Sequence, residues 1–179
     1  MKFHLKKLVD ERTSEVSAYV RKGDRIIDIG SGGCQVSEWL MSQGFDVTPI
    51  DISNKSFLGK VKPIIYDGKR IPFADTSFDV ALLLTILHHT KDPVSILKEA
   101  KRVAKRIVVK EDLYKGIIQK YMTFAMDSAI NKEFKGHPHT NKTKEEWLRV
   151  FKDLELTVLD QKENSFWVFF RNGVFYLRK

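Results

Sequence analysis

The stretch Arg25-Ile26-Ile27-Asp28-Ile29-Gly30-Ser31-Gly32-Gly33-Cys34 constrains this chain more than any other. It opens as an apolar strand and breaks at a cluster of glycines. A helical pattern follows, with Val36, Trp39 and Leu40 on one face. Strand, glycine loop and helix in that order cradle a ligand at the carboxyl end of a parallel strand. Glycine permits positive φ and close approach of a ligand to the backbone, and a helix start offers N–H groups to an anionic group. A dinucleotide fingerprint, G-x-G-x-x-G, counted from Gly30 and Gly32 would place its last glycine at position 35. That position is Gln35, so the motif fails.

The rest of the chain alternates strand and helix patterns. Leu5, Leu8, Val9, Val16 and Val20 predict an amphipathic helix over 4–20, ended by Gly23-Asp24. This helix either lies near the mouth of a site or covers a sheet edge. Asp46–Asp51 reads as a second strand ending in an acid. Asp51 lies about 20 residues beyond the glycine loop, where nucleotide-binding α/β folds place a ribose-binding carboxylate. A carboxylate can accept both hydrogen bonds of a vicinal diol. Asp51 also suits a strand-end cap before Ser53 and Asn54, and the loop upstream favours the ribose role. Lys62–Asp67 repeats the design ahead of Gly68. Phe78–Leu84 is almost wholly apolar, as in the buried middle of a parallel sheet. Pro93 opens a helix with Val94, Leu97, Ala100, Val103 and Ala104 inward, and Arg106–Glu111 is the fifth strand. Such alternation predicts right-handed crossovers and a doubly wound sheet.

Asp28, Gly30 and Gly32 fit the pattern D-x-G-x-G. Behind them come Ile71-Pro72-Phe73, Asp75, Ser77-Phe78-Asp79-Val80 and Leu87-His88-His89-Thr90-Lys91-Asp92-Pro93. In this ordered set the chain resembles the class I S-adenosylmethionine-dependent methyltransferases that act on small molecules. The resemblance runs from about residue 24 to 111 and continues more weakly to the end. Cys34 stands where the family often has a further glycine.

The resemblance implies an α/β, mostly parallel Rossmann-like sheet of about seven strands with an antiparallel hairpin at one edge. It implies a single domain over 1–179, with 1–22 as a leading helix and 112–142 as an insertion that builds the acceptor pocket. Its cofactor would be S-adenosyl-L-methionine, leaving as S-adenosyl-L-homocysteine. Gly30, Ser31 and Gly32 would carry the methionine portion, with Asp28 near its ammonium. Asp51 would accept from the ribose hydroxyls, Asp67 and Gly68 would meet the adenine, Leu84 and Thr85 would border the methyl group, and Ile52 would be a further cofactor contact. The implied reaction is in-line methyl transfer to a small-molecule acceptor. An RNA or protein methyltransferase and a non-catalytic S-adenosylmethionine-binding regulator are the alternatives.

An acceptor of high pKa needs a base, and His88 and His89 are the candidates, with His137 and His139 further ones. Each histidine also has a structural reading, such as His89 holding the loop before Pro93. No carboxylate or cysteine pattern accompanies the paired histidines, so no metal site is expected. The single cysteine excludes an intramolecular disulfide, and Cys34 reads as a small residue packed under the loop. The 179 residues carry a formal charge of +8, which admits nucleic-acid binding. The basic residues are scattered rather than clustered, which favours a solvated surface. No apolar run approaches the roughly 20 residues of a membrane span, and Met1–Lys7 lacks a signal-peptide pattern. A cytoplasmic location is therefore expected. Thr143-Lys144-Glu145-Glu146 signals a capped helix, strands are expected around 155–162 and 165–178, and Asn172-Gly173 suggests a tight hairpin between β-rich runs.

Overall fold

The computed structural model describes residues 13–56, 61–116, 140–166 and 170–179. Among them, seven strands form one sheet: β1 (Arg25–Ile29), β2 (Asp46–Asp51), β3 (Ile64–Ile65), β4 (Phe78–Leu84), β5 (Ala104–Leu113), β6 (Thr157–Phe166) and β7 (Phe170–Arg178). The helices are α1 (Gln35–Ser42), α2 (Pro93–Val103) and α3 (Lys144–Asp153), and a 3-10 turn covers Leu87–His89. The spatial order is β3-β2-β1-β4-β5-β7-β6. β1 to β5 are parallel, and β7 lies antiparallel between β5 and β6. The order reverses between β1 and β4. At such a switch point the connections leave on opposite faces and open a crevice at the carboxyl strand ends.

The two faces follow from the alternation of side chains along each strand. Ile27, Ile29, Leu83, Ile107, Val109 and Phe175 pack toward α2 and α3, where Leu97, Ala100, Trp147 and Phe151 meet them. Ile26, Val80, Leu82, Val108 and Val174 pack on the other face against Val16, Tyr19, Val36 and Leu40. The ends of the helices are fixed by the expected chemistry. Asp92 caps α2 on the Ser95 N–H at 3.0 Å, with Pro93 in the first turn. Thr143 and Glu146 form a reciprocal capping box at α3.

The Ile71-Pro72-Phe73 and Ser77-Phe78-Asp79-Val80 motifs are architectural here. The Arg102 guanidinium donates to the carbonyls of Ile71 and Phe73, both at 2.8 Å, and to Asp75 at 2.9 Å. Glu99 orients it and accepts the Ile71 N–H at 2.8 Å. One arginine thus pins the loop that leads into β4. Asp79 accepts from Lys105 at 2.7 Å and from the Arg25 N–H at 3.0 Å, and these bonds hold its carboxyl down at about 2.

A carboxyl depressed in the fold contributes stability above its unfolded pKa and loses it as pH falls through the folded value. Thermal melts of the native chain and Asp79→Asn should therefore separate above about pH 4 and converge as the pH falls through about 2. Parallel curves across that window would assign Asp79 no such role.

Three expectations change. Asn172-Gly173 is not a turn: both residues lie inside β7, opposite Asp112 and Glu111 of β5. The β6–β7 connection falls between Phe166 and Phe170. Gly173 is needed for space, since a Cβ there would stand 2.8 Å from Leu113 Cδ1 and 2.9 Å from Phe175 Cε2. The third strand shrinks from 62–67 to Ile64–Ile65, an exposed edge pair. Pro63, which precedes it, has no N–H for the ladder. Of the expected leading helix, residues 13–17 are helical and a turn follows at 18–19, before the expected end at 20. Residues 1–12 and 117–139 lie outside the described residues, and with them His137, His139 and most of the expected acceptor insertion. Among the described residues no helix is long and apolar enough to cross a membrane.

Candidate functional site

Parallel register brings four loops to one edge. Ile29 at the end of β1 pairs with Ile50 of β2 and Leu83 of β4, and Asp51 pairs with Ile65 of β3. The expected cofactor residues therefore gather at neighbouring carboxyl strand ends: Asp28, Gly30, Ser31, Gly32, Asp51, Ile52, Asp67, Gly68, Leu84 and Thr85.

The glycine loop is tightly wound. Gly30, Gly32 and Cys34 have φ of 73°, 53° and 60°. A Cβ on Gly30 would meet Ile86 Cγ2 at 2.8 Å, while one on Gly32 would meet nothing within 4 Å. Gly30 is fixed by packing, and Gly32 presents open backbone. Cys34 adopts a left-handed conformation that ordinarily suits glycine. Its fully buried side chain lies 3.5 Å from Ser31 Oγ, and burial pushes the thiol pKa up. A protonated thiol sealed under the loop is not a nucleophile.

The loop's donors are engaged inside the fold, which changes the ligand it suits. The N–H groups of Gly30 and Ser31 donate to the Ile50 carbonyl at 2.9 and 3.1 Å. Gly32 N–H donates to Asp51 Oδ2 at 2.8 Å. Asp51 Oδ1 accepts from the Ser53 N–H at 3.1 Å, so this acid both braces the loop and caps the strand end. The expected offer of these N–H groups to an anion is thus not what the structure presents.

Carboxylates dominate instead. Asp28 is buried beneath the loop and accepts from Ser37 Oγ of α1 at 2.5 Å. Asp67 accepts the N–H groups of Lys69 and Arg70 on Oδ1, which lowers its pKa. Tyr66 is pushed up to about 12 by burial first and then by the charges of Asp51, Asp67 and Glu99. This edge repels a phosphate and favours a phosphate-free ligand rich in donors. Ile52, 66% exposed, adds an apolar surface in contact range of Gly68.

Leu84 is buried and Thr85 has φ of 58°. A β-branched residue in that region carries backbone strain of about 1–3 kcal/mol, a feature concentrated at functional sites. Its N–H donates to the Lys110 carbonyl at 2.7 Å and its hydroxyl to the Leu84 carbonyl at 2.6 Å.

The two histidines occupy the 3-10 turn that follows. The His88 ring is 1% exposed, and its Nδ1 lies 2.5 Å from Oε2 of Glu111, which is fully buried on β5. Glu111 Oε1 accepts the Leu87 N–H at 2.7 Å. His89 is half-buried, its ring centroid 4.1 Å from that of His88. Sequence reasoning passed over Glu111. The signal was available: β1, β2 and the third strand pattern each carry an acid at or near their carboxyl end, and Glu111-Asp112 does the same on β5. Among the described residues no three His, Cys, Asp or Glu side chains group to hold a metal ion.

A doubly wound sheet with acids and a glycine loop at the strand ends of its switch point defines a Rossmann-like fold. Residues 27–107 match the family described as a methyltransferase domain. Over those residues the chain is similar to that family, and its fold is shared with solved S-adenosylmethionine-dependent methyltransferases. A ubiquinone biosynthesis O-methyltransferase of Paraburkholderia phymatum is 30% identical over 94 residues, which cover 46% of this chain and 40% of that protein. The match thus spans about two-fifths of that relative's length. A Methanosarcina mazei S-adenosylmethionine-dependent methyltransferase superposes with a TM-score of 0.69 at 19% identity, covering 92% of this chain and 96% of the other. A magnesium protoporphyrin IX methyltransferase of Synechocystis with bound S-adenosylhomocysteine gives 0.67 at 15% identity, covering 97% and 83%.

Proposed function

We propose that this protein transfers the methyl group of S-adenosyl-L-methionine to an oxygen of a small organic acceptor. The observation that carries the reading is the sign of the crevice: the first three N–H groups of its glycine loop bond within the fold, and Asp51 and Asp67 stand at adjacent strand ends. A diol, an adenine amine and an ammonium are all donors, and they complement such a site.

Bound S-adenosylmethionine supplies an electrophilic methyl carbon on a sulfonium with a neutral thioether leaving group. The chain's part is positioning. Gly30, Ser31 and Gly32 admit the methionine portion against open backbone, with Asp28 supporting the loop near its ammonium. Asp51 accepts from the ribose hydroxyls, Ile52 and Gly68 border the base, and Asp67 accepts from its amino group. Leu84 and Thr85 border the methyl carbon. Glu111, accepting from Nδ1–H of His88, fixes the tautomer in which Nε2 is basic. In the transfer the acceptor oxygen would bond to the methyl carbon, the carbon–sulfur pair would stay on sulfur, and the hydroxyl proton would go to a base, for which His88 and His89 are the candidates. The His89 ring lies tilted against that of His88 and completes the turn. The cytoplasmic setting belongs to this proposal, as does a 112–142 segment that shapes the acceptor pocket.

Calorimetry with S-adenosylhomocysteine, followed by an acceptor screen with labelled methyl donor, tests the reading. Saturable one-to-one binding and label transfer to an oxygen are expected. Absence of binding by the folded chain would overturn it.

A further inference from the structure

We infer that the β6 edge pairs with the β6 edge of a second copy of this chain, antiparallel and centred on Gln161, to make a two-fold dimer. The inference goes beyond the methyltransferase reading and does not depend on it.

The two edges of the sheet are built oppositely. β3 is two residues long and follows Pro63, which blunts that edge. β6 runs for ten residues, Thr157–Phe166, contains no proline, and is exposed from 159 to 165. Leu159, 43% exposed, adds a large apolar side chain to it. A long exposed edge is a template for another strand.

The ladder says which backbone groups face outward. The Lys110 carbonyl accepts from Thr85, so Lys110 turns its backbone toward β4, and Val109 and Glu111 turn theirs toward β7. In an antiparallel ladder this direction alternates residue by residue. Carried through β7, the alternation leaves the N–H and C=O groups of Gln161 and Glu163 pointing away from the sheet. In keeping with this, the Gln161 N–H donates to the carboxylate of its own neighbour, Asp160 Oδ1, at 2.8 Å.

Charge sets the occupant and the register. Residues directly opposite in a ladder share a face of the sheet, so β6 paired with itself must centre on a residue. The charged residues of β6 are Asp160, Lys162 and Glu163. Centring on Gln161 sets Asp160 opposite the partner's Lys162, and Lys162 opposite the partner's Asp160. Centring on Asp160, Lys162 or Glu163 opposes like charges, and no other centre within the strand opposes unlike ones. Unlike pairs across a ladder favour association and like pairs disfavour it. Among the described residues Lys162 forms no ion pair and rests over the Tyr19 ring, so its charge is available to a partner. At the centre the two Gln161 residues exchange N–H and carbonyl. That exchange releases Asp160 Oδ1 for the partner's Lys162, while Asp160 Oδ2 keeps the Tyr19 hydroxyl at 2.9 Å. β5 and β7 separate this edge from β4, so pairing leaves both crevices open.

The test is sedimentation of the full chain over a concentration series. The native protein should move from the chain mass to twice that mass as concentration rises. Lys162→Asp and Asp160→Lys should each weaken self-association by roughly tenfold or more, because each opposes like charges at both positions. Mixed in equal amounts, the two variants should form a one-to-one dimer, since every opposed pair is then unlike. Gln161→Pro, which removes an outward N–H, should lose self-association and melt close to the native chain. If Asp160→Lys does not fold for want of its Tyr19 bond, Lys162→Asp and Gln161→Pro decide the matter. A native chain that stays monomeric throughout, native self-association in Lys162→Asp or Gln161→Pro, or no dimer on mixing the two folded charge variants would each overturn the inference. Capture of a different chain along this edge by a monomeric native protein would overturn it too.

Discussion

Asp51→Ala is expected to weaken S-adenosylhomocysteine binding about a hundredfold while the chain still folds. If Asp51 accepts from the ribose as proposed, a pair of charge-assisted hydrogen bonds would account for about 1.5–3 kcal/mol, or roughly ten- to a hundredfold. The structure pushes the expectation to the upper end, because Asp51 also braces Gly32 at 2.8 Å and caps Ser53 at 3.1 Å. Removing it would take away the proposed ligand contact and the brace on the Gly32 loop together. Asp51→Asn separates the two effects. Its amide oxygen can still accept the Gly32 N–H, so the loop stays braced, but the charge and one acceptor are gone. The asparagine variant should therefore lose less affinity than the alanine variant. Isothermal titration of both, beside thermal melts, is the measurement. A folded Asp51→Ala protein with native affinity would remove Asp51 from the site.

What the sequence made legible was local and periodic. β1, β2 and β4 fall on the expected residues, and β5 extends the expected span at both ends. Apolar period and breakers specify these elements without help from distant residues. The acids Asp28, Asp51 and Asp67 at the first three strand ends were legible too, whereas Glu111 on β5 was passed over. Pairings between distant residues were hidden. Nothing near Arg102 says that its guanidinium closes the Ile71–Asp75 loop, and nothing near Asn172-Gly173 says that Leu113 will lie across that glycine. A hairpin signal is read from two residues, whereas the space above a strand is set by its neighbour. Cys34 shows a third limit. Its left-handed backbone looked like a departure from a glycine pattern, and the fold keeps the backbone angle by burying the side chain.

Glu111→Ala is expected to destabilise the fold by about 2–6 kcal/mol, about 1–3 kcal/mol for each of the two buried donors it leaves unsatisfied. Both partners are sealed from water, and the same carboxylate satisfies the Leu87 N–H, so alanine orphans a ring nitrogen and a backbone donor together. His88→Ala should also cost stability, because it leaves a buried carboxylate without its ring. The double variant should lose clearly less than the sum of the singles, since each single strands the other group. Urea unfolding of the four proteins supplies this cycle, and additive losses would show that the pair is not coupled. Stability alone does not separate a brace from a positioning role. Glu111→Gln does, because it keeps an oxygen for Leu87 and removes the charge that sets the His88 tautomer. If His88 takes the acceptor's proton, the glutamine variant should bind S-adenosylhomocysteine as the native chain does. It should turn over about a hundredfold more slowly, in line with loss of general-base assistance. The deficit should shrink as the pH is raised and the acceptor ionises without help. A pH-independent deficit would leave Glu111 as a brace between β5 and the turn, and would move the base elsewhere.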